Sequence, residues 1–369
     1  MIFIDNKIKI CIVGIGGCAV SLVEGIYYYQ CINYDKYLPP GLIHVNIGGY
    51  KIGDIEVVAA FDVDKRKVGK DLLTAIFQPP NCTKVIWKDR GVMFSDLDIY
   101  VLKAPVMDGV AEHMKDYFQV DNNQKELTKE DIIKHLKNVE CEIIVSYLPV
   151  GSQIATEFWA NIALEAKCGF INCIPVFVAS NEQWTNRFKN AGLPIIGDDV
   201  KSQVGATIVN RTLIQMLIDR GAKIDSTYQI NVGGNTDFRN MLDTNRLESK
   251  KISKTESISS LIPDKDVYVN AGPNGCIDCL NDNKISYMRI DFRIFGDIPC
   301  SIDIKLSVED SPNSSGVVVD AIRCCKLALD RGIGGVLIEP SAYFMKHPPQ
   351  QMKDEDARKL LEDFVRGVE

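Results

Sequence analysis

A strand, a glycine-rich turn and a helix follow one another at the start of the chain, and this unit constrains the fold more than any other stretch. Residues 7–13 read KIKICIV, residues 14–19 read GIGGCA, and the helical run SLVEGIYYY follows. In a dinucleotide-binding turn of this form, the first glycine makes a tight turn and the second lets the backbone approach a pyrophosphate. The helix N-terminus then faces the phosphate charge, and a small sixth residue allows close packing of the helix on the strand. The sequence therefore predicts a dinucleotide site built from Gly14, Gly16, Gly17, Cys18 and Ala19.

The acidic residue that should bind the cofactor ribose comes late in this chain. It is expected about 20 residues after the turn, but residues 31–53 form a Pro- and Gly-rich excursion before the second strand, IEVVAAFDVD. Asp62, at the carboxyl end of that strand, is the predicted ribose contact. A carboxylate there favours NAD over NADP because it would repel a 2′-phosphate. Asp64 is predicted to cap a helix in the segment KRKVGKDLL that follows.

Strand and helix patterns alternate as far as about residue 200, which predicts a parallel, doubly wound sheet. Thr128 is expected to cap the helix DIIKHLKNV. The buried strand CEIIVS ends at Ser146, and Pro149 opens the next helix. Ligands bind at the carboxyl ends of such strands, so Ser146 and Pro149 are further predicted cofactor contacts. The strand after that is predicted to run through residues 169–177, GFINCIPVF.

Beyond residue 200 the pattern changes to long strands. An amphipathic helix precedes STYQINVGG, KDVYVNAG, SYMRIDFRIFG and CSIDIKLSVED, and the last two of these predict an antiparallel hairpin. The predicted fold is α/β: a Rossmann-like doubly wound parallel sheet, interrupted by a second, β-rich α/β domain. We expect the first domain to comprise residues 1–200 and 311–369. Residues 201–310 would then form a catalytic domain whose open sheet face makes oligomer contacts.

Composition argues against several classes of function. The net charge of −7 over 369 residues makes nucleic acid or an anionic membrane an improbable main partner. No apolar run reaches the roughly 18 residues of a membrane span, and the N-terminus lacks a signal-peptide pattern. Many of the 12 cysteines lie in apolar patterns, as small core residues of a reducing compartment do. The sequence therefore predicts a cytoplasmic protein that acts on a small molecule.

Polar side chains concentrate between residues 198 and 254 beside Gly-rich turns. They are Asp198, Asp199, Lys201, Ser202, Asn235, Asp237, Lys250 and Lys254. Lys250 and Lys254 are four residues apart and would share one face of a helix. Repulsion between two ammonium groups depresses lysine pKa values, which makes a lysine a usable base near neutral pH. Lys284, Lys346 and Asp310 come where other elements end. These groups indicate either a solvated basic surface or one cleft between the two domains.

Seven motifs along the chain resemble those of myo-inositol-1-phosphate synthase (inositol-3-phosphate synthase) in its compact bacterial and archaeal form. They are GIGGCA, VSYLPVGS, GDDVKSQVGAT, NVGGNTDFRNML, ESKKISKT, EDSPNS and SAYFMKHPP. The resemblance spans nearly the whole chain and implies a homotetramer that converts D-glucose 6-phosphate to 1L-myo-inositol 1-phosphate with a tightly held NAD. In that reaction C5 is oxidised to a ketone, an enolate forms, C6 attacks the C1 aldehyde, and the resulting inosose is reduced, so that NAD is regenerated.

The resemblance also implies catalytic roles for the lysines. Lys250 would take the C5 hydroxyl proton during hydride transfer. Lys254 and Lys284 would stabilise the oxygens that become charged in the enolisation and aldol steps, and Lys346 would relay protons around C5 and C6.

Further roles implied by the resemblance fall on carboxylates and polar groups. Asp199 and Asp310 would orient the lysines or hold a mono- or divalent cation near the nicotinamide. Asn235 and Asp237 would bind substrate hydroxyls. Ser202 would bind cofactor or phosphate, and Asp199 would also lie against the cofactor.

Two other functions stay open on the sequence alone. A Rossmann-type dehydrogenase of a phosphorylated or polyhydroxy substrate would accumulate NADH stoichiometrically. A non-catalytic NAD-sensing or scaffold protein would not depend on Lys250 or Lys346, and the density of lysines argues against it.

Overall fold

The structure is a computed structural model that describes residues 7–32, 38–87 and 97–368. Part of the excursion at 31–53, residues 33–37, therefore lies outside the described residues. The strands are β1 (Ile8–Val13), β2 (Ile55–Asp62), β3 (Val101–Lys103), β4 (Ile143–Ser146), β5 (Gly169–Asn172), β6 (Pro194–Ile196), β7 (Lys223–Gly233), β8 (Tyr268–Cys276), β9 (Asn283–Ile294), β10 (Ile298–Glu309) and β11 (Gly335–Val336). The α-helices are α1 (Gly17–Cys31), α2 (Leu72–Ala75), α3 (Lys129–Asn138), α4 (Gln153–Ala166), α5 (Glu182–Ala191), α6 (Ala206–Asp219), α7 (Thr236–Asn240), α8 (Thr244–Ser259), α9 (Pro312–Asp330), α10 (Ile338–Phe344) and α11 (Asp354–Arg366).

The first sheet is parallel throughout its described strands, in the order β11-β6-β5-β4-β1-β2-β3. Strands β1 to β6 thus have the 3-2-1-4-5-6 order of doubly wound dinucleotide-binding folds, with β11 added beyond β6. The strand order reverses between β1 and β4, and ligands bind in the crevice at such a point.

Helices bury both faces of this sheet, so its central strands are apolar on both sides. In β1, Ile8, Ile10 and Ile12 point into a core shared with α1 and α9. Cys11 and Val13 point the other way, into a core shared with α3 and α4. The glycine-rich turn follows directly at the carboxyl end of this strand.

The second sheet has the order β10-β9-β7-β8 and is mixed. Strand β9 pairs antiparallel with β10 and β7, and β7 pairs parallel with β8. Helices α6 and α8 cover one face over a core that includes Ile214, Ile258 and Ile290. On the opposite face, Ile230 and Tyr287 lie directly across from each other and are 42% and 46% exposed. This face of the sheet is therefore partly exposed in the described structure.

Helix α9 leads back from β10 to the first sheet, where it packs against α1 and β5. The predicted fold class, a Rossmann-like sheet interrupted by a second α/β unit, is confirmed. Within the described part of the chain, no helix combines the length and the apolar character needed to cross a membrane.

Strand β5 is shorter than predicted, because the chain turns away at residue 173 to surround a carboxylate. The buried side chain of Asp198 accepts hydrogen bonds from the backbone N–H groups of Val178, Ala179 and Ser180 at 3.0–3.1 Å. It also accepts one from the Asn172 amide at 2.7 Å. These bonds replace the ladder bonds that a strand through residue 177 would make.

Of the two predicted helix caps, one is confirmed and one is wrong. Thr128 caps α3 as expected. Asp64 caps no helix: its carboxylate accepts the backbone N–H of Arg66 at 2.9 Å and pairs with the Arg66 guanidinium. The residues after it form turns, and α2 begins later with Asp71 as its cap.

Candidate active site

One cavity joins the carboxyl end of the first sheet to the second sheet. The predicted site residues in its walls are Gly14, Gly16, Gly17, Cys18, Asp62, Pro149, Ser202, Asn235, Asp237, Lys250, Lys254, Lys284, Asp310 and Lys346. Ala19 and Ser146 are fully buried outside those walls, and Asp199 is buried beneath two of the lysines. The structure thus brings the glycine-rich turn and the lysine-rich segment, predicted separately, to one place.

The glycine-rich turn has the conformation that an anion-binding loop needs. Gly14 has φ +86°, and a Cβ there would lie 2.6 Å from the carbonyl oxygen of Tyr147, so only glycine fits. Helix α1 starts at Gly17, and within the described residues no side chain caps it and no acidic residue lies in its first turn. Its first N–H groups and the positive end of its dipole are therefore available to a phosphate.

Asp62 ties this turn to the end of β2. Its carboxylate accepts the N–H of Ile15 at 2.8 Å and those of Val63 and Asp64 at 2.7 and 2.9 Å. It is in the cavity wall, where the ribose contact was predicted, and it also has a structural role that the sequence did not reveal. Ala19 lies wholly in the core beside β1, as close packing of helix on strand requires.

Asp199 is the centre of the lysine-rich end of the cavity. Its Oδ1 accepts hydrogen bonds from Lys250 at 3.0 Å and Lys346 at 3.1 Å, and its Oδ2 accepts one from Ser253 at 2.7 Å. Lys250 and Ser253 come from α8. Lys346 comes from the segment after α10. The backbone N–H of Lys346 also donates to the carbonyl oxygen of Asp199 at 2.7 Å. Three distant parts of the chain therefore meet at one carboxylate.

The lysine pKa values differ because the carboxylates are shared unequally. Burial would lower the pKa of Lys250, but Asp199 and Asp237 outweigh burial and raise it above its usual value. For Lys346, burial and the charge of Lys250 outweigh Asp199 and lower the pKa to about 8. The prediction that repulsion depresses the pKa of Lys250 is therefore wrong, since its nearest charged partner is a carboxylate.

Lys254 has no hydrogen bond or ion pair to any residue that the structure describes, although only 8% of it is exposed. Burial and the charges of Lys284 and Lys250 hold its pKa well below the usual value. The depressed pKa predicted for this lysine is confirmed. A buried amine next to cations is suited to exchange a proton with a ligand near neutral pH.

A second ion pair lies in the cavity wall near these lysines. Lys284, at the start of β9, pairs with Asp310, just beyond β10. The Asn235 amide donates to Asp282 at 3.1 Å and to Asp310 at 3.5 Å. Asn235 also caps α7, through the N–H of Asp237 at 3.1 Å. Asn235 thus holds the acidic side of the cavity in place, and its contact with a substrate hydroxyl stays a prediction, as does that of Asp237.

Asp199 and Asp310 are occupied by lysines in this arrangement. Among the described residues there is no cluster of three or more His, Cys, Asp or Glu side chains that could hold a metal ion. In this arrangement the two carboxylates do not by themselves form a cation site, and their role as cation ligands stays a prediction.

Sequence patterns did not identify several residues of the site. Ser253 was hidden among the lysines of α8, although it lies three residues after Lys250 and so on the same helix face. Asp282 carried no signal of its own. Lys67 is a buried lysine in the cavity wall. It lies in a charged run that predicts a helix after Asp64, and that helix does not form.

The chain is similar to one group of enzymes along almost its whole length. Its residues 205–311 match the family model for myo-inositol-1-phosphate synthase. It is 45% identical to the inositol-3-phosphate synthases of Corynebacterium glutamicum and Mycolicibacterium smegmatis, over 98% of this chain and 98% and 99% of theirs. Its fold is similar to the crystal structure of a myo-inositol-1-phosphate synthase-related protein from Thermotoga maritima, with a TM-score of 0.81 at 23% identity over 98% of each chain. The resemblance of its motifs is confirmed, and the chain belongs to the inositol-3-phosphate synthase family.

Proposed function

We propose that this enzyme converts D-glucose 6-phosphate to 1L-myo-inositol 1-phosphate, with NAD as a cofactor that is regenerated in each turnover. The observation that carries the proposal is a single cavity lined by both a glycine-rich phosphate loop and the lysines Lys250, Lys254, Lys284 and Lys346. The substrate brings a phosphate dianion, and oxidation, enolisation and aldol closure each place negative charge on a sugar oxygen. Fixed cations in a closed cavity stabilise such charge.

The glycine end of the cavity fits NAD. Residues 14–18 and the uncapped start of α1 would hold the diphosphate, and Asp62 the ribose. Tyr147, Gln229 and Asn240 are in the wall, and each has a buried oxygen with no hydrogen-bond partner among the described residues. A polar ligand would satisfy groups of this kind. When bound, NAD⁺ supplies the hydride acceptor for oxidation at C5, and its reduced form returns the hydride at the end of the turnover.

Lys254 is the best placed of the lysines to accept a proton. It is buried, it lacks a carboxylate partner among the described residues, and its pKa is held low by burial and by the neighbouring ammonium groups. A neutral amine in that position can remove a proton from the substrate and return it later in the reaction. This assignment differs from the role in charge stabilisation that the family resemblance implied for Lys254.

Lys250 is better suited to stabilise charge than to act as the base. Its ion pair with Asp199, and the raised pKa that follows, keep it an ammonium group. Lys346 shares Asp199 Oδ1 with it and, with a pKa of about 8, can exchange a proton near neutral pH. Lys346 can therefore relay a proton, while Asp199 fixes the side chains of both lysines.

Lys284 is held by Asp310, close enough to Lys254 for its charge to lower the pKa of that lysine. From there an ammonium group can neutralise the substrate phosphate or the alkoxide that forms at C1 when C6 attacks the aldehyde.

The test is phosphorus-31 NMR of the purified protein with glucose 6-phosphate and a catalytic amount of NAD, with absorbance at the NADH band followed in parallel. We expect a new inositol phosphate signal and no net NADH. Stoichiometric NADH would instead indicate a dehydrogenase with net redox, and no product would overturn the proposal.

We also propose that the enzyme works as a homotetramer in the cytoplasm. The half-exposed face of the second sheet, with Ile230 and Tyr287 at its middle, is the expected subunit contact. Light scattering after size exclusion would measure the mass, and a monomer would contradict the assembly.

A further inference from the structure

A buried lysine lies behind the glycine-rich turn, and the proposed chemistry does not use it. Lys67 is in the turn that follows β2, its side chain is 2% exposed, and it forms part of the cavity wall. Burying an ammonium group is costly unless opposite charge and hydrogen bonds compensate it. The position of Lys67 therefore calls for a ligand or a structural role.

The contacts of Lys67 only partly meet that need. Its Nζ donates to the carbonyl oxygen of Ile15 at 2.5 Å and to Oδ1 of Asn81 at 3.2 Å. The carboxylate of Asp62 is 3.9 Å away. That carboxylate already accepts three backbone N–H groups, so its charge is shared.

These contacts hold Ile15 from both sides. Its N–H donates to Asp62, and its carbonyl accepts from Lys67 and, at 3.2 Å, from Nδ2 of Asn81. Asn81 is itself fixed by a bond from the same nitrogen to the carbonyl of Ile76 at 2.7 Å. The peptide between Ile15 and Gly16 is therefore kept from turning its carbonyl oxygen toward a bound phosphate. In that orientation the carbonyl oxygen and the phosphate oxygens would repel each other.

We propose that Lys67 is a positioning residue of the diphosphate part of the cofactor site: it holds the Ile15 carbonyl away from the phosphates, and the diphosphate supplies the negative charge that the buried ammonium lacks. The inference rests on the proposed NAD site. It assigns Asn81 the supporting role, because Asn81 bridges Lys67 and Ile15.

Ligand binding to the purified protein tests this, without any activity measurement. The probes are NAD⁺ and ADP, by calorimetry, and adenosine, which lacks phosphate, by ligand-observed NMR. In Lys67→Met, the Kd for NAD⁺ and ADP should rise about 10- to 100-fold, the usual effect of losing a hydrogen bond to a charged group, while adenosine binding stays the same.

Two further variants serve as a matched control and as an independent test of the same contact. Lys70→Met makes the same change in the same turn at a side chain that contacts Gln78 and is outside the cavity wall, and should leave all three affinities unchanged. Asn81→Leu is uncharged and of similar size but removes the donor to Ile15 and the acceptor for Lys67, so it should weaken NAD⁺ and ADP and leave adenosine unchanged even if Lys67→Met fails to fold.

Unchanged NAD⁺ affinity in both Lys67→Met and Asn81→Leu would overturn the inference and leave the proposed function standing. An equal loss for adenosine would also overturn it, since that is the result of a merely structural role. A wild-type protein that binds neither NAD⁺ nor ADP would overturn the cofactor assignment and this inference together.

Discussion

The two ends of the cavity present positive charge to a ligand by opposite means. At the glycine end the charge is that of backbone N–H groups at the start of α1, and the side chains of Asp62 and Lys67 hold the loop from behind. At the lysine end the side chains themselves face the ligand, and a buried carboxylate, Asp199, holds two of them from behind. The first arrangement depends on backbone conformation and the second on a balance of charges, so substitutions at the two ends should fail in different ways.

Within the lysine end, Lys250 and Lys254 show how local that balance is. They lie four residues apart on α8, yet only Lys250 reaches Asp199. One is a paired ammonium with a raised pKa, and the other is an unpaired amine, within the described structure, whose pKa burial and neighbouring charges lower. Position on the same helix face does not make two lysines equivalent.

The largest effect is expected from removing the amine of Lys254. Lys254→Met should lower kcat about 10²- to 10⁴-fold, the usual contribution of a general acid or base. It should leave NAD affinity unchanged and raise the melting temperature, because a buried polar group that lacks a hydrogen-bond partner among the described residues is replaced by an apolar side chain of similar length. Lys251→Met, an exposed neighbour on α8, is the control and should change none of these. A melting temperature that falls would show that Lys254 is compensated after all.

Asp199→Asn tests whether the lysine end depends on charge balance. Removing one partner of a buried ion pair typically costs about 3–5 kcal/mol, and here two ammonium groups lose their shared carboxylate. Urea denaturation should show that loss of stability together with loss of activity. Asp225→Asn, which removes an exposed carboxylate paired with Arg293, should change stability little. Equal effects of the two would contradict the role given to Asp199.

The pH dependence of the free energy of unfolding should reveal the lowered pKa of Lys346. Its pKa is about 8 in the folded protein against an ordinary 10.5, so between those values the unfolded chain holds a proton that the folded chain has released. Stability contributed by this group therefore rises with pH across that window. Lys201 also has a pKa of about 8, lowered by burial, so the informative quantity is the difference between wild type and Lys346→Met in urea unfolding from pH 7 to 10. A difference that does not change with pH would contradict the assignment.

At the glycine end the expected failure is steric. A Cβ at Gly16 would meet no atom of the described residues within 4 Å, so Gly16→Ala should fold normally. The added methyl would nevertheless take space beside the diphosphate, and the Kd for NAD should rise about tenfold or more. Calorimetry measures this, and an unchanged Kd would show that the diphosphate lies elsewhere.

The smallest effect, with the opposite sign, is expected at Gly25. It lies inside α1, and a Cβ there is equally free of contacts. Gly25→Ala should stabilise the protein by about 0.5–1 kcal/mol through the better helix propensity of alanine without altering NAD affinity. This variant distinguishes an effect of the whole helix on NAD affinity from an effect at the helix N-terminus. Weaker NAD binding would mean that Gly16→Ala also acts through the helix.

Local patterns predicted the glycine end well. The strand, the turn and α1 are consecutive in the chain, and Thr128 lies directly before the helix it caps, so short-range rules suffice. The error at Asp64 arose because a charged run after an acidic residue also suits a turn in which that residue pairs with Arg66. The hydrogen bonds that hold the Ile15 carbonyl could not be predicted from the sequence, because their donors, Lys67 and Asn81, are 52 and 66 residues away in the chain.

The lysine end could be identified in the sequence but not described. The family motifs marked its members, yet the contacts that set their charges join Asp199 to Lys250 and Lys346, 51 and 147 residues away in the chain. A pKa depends on such distances and on burial. Their four-residue spacing therefore predicts a depressed pKa for both Lys250 and Lys254, and only Lys254 has one.

The most direct test of the central claim is the fate of the hydrogen on C5 of the substrate. If the cavity holds sugar and cofactor together through the whole cycle, the hydride removed from C5 returns to the same carbon. Glucose 6-phosphate deuterated at C5, incubated with the enzyme and catalytic NAD, should give an inositol phosphate that keeps the deuterium at that carbon by mass spectrometry and NMR. Product without the label would contradict the account, because it would show that the hydrogen returned to C5 is not the one that was removed from it.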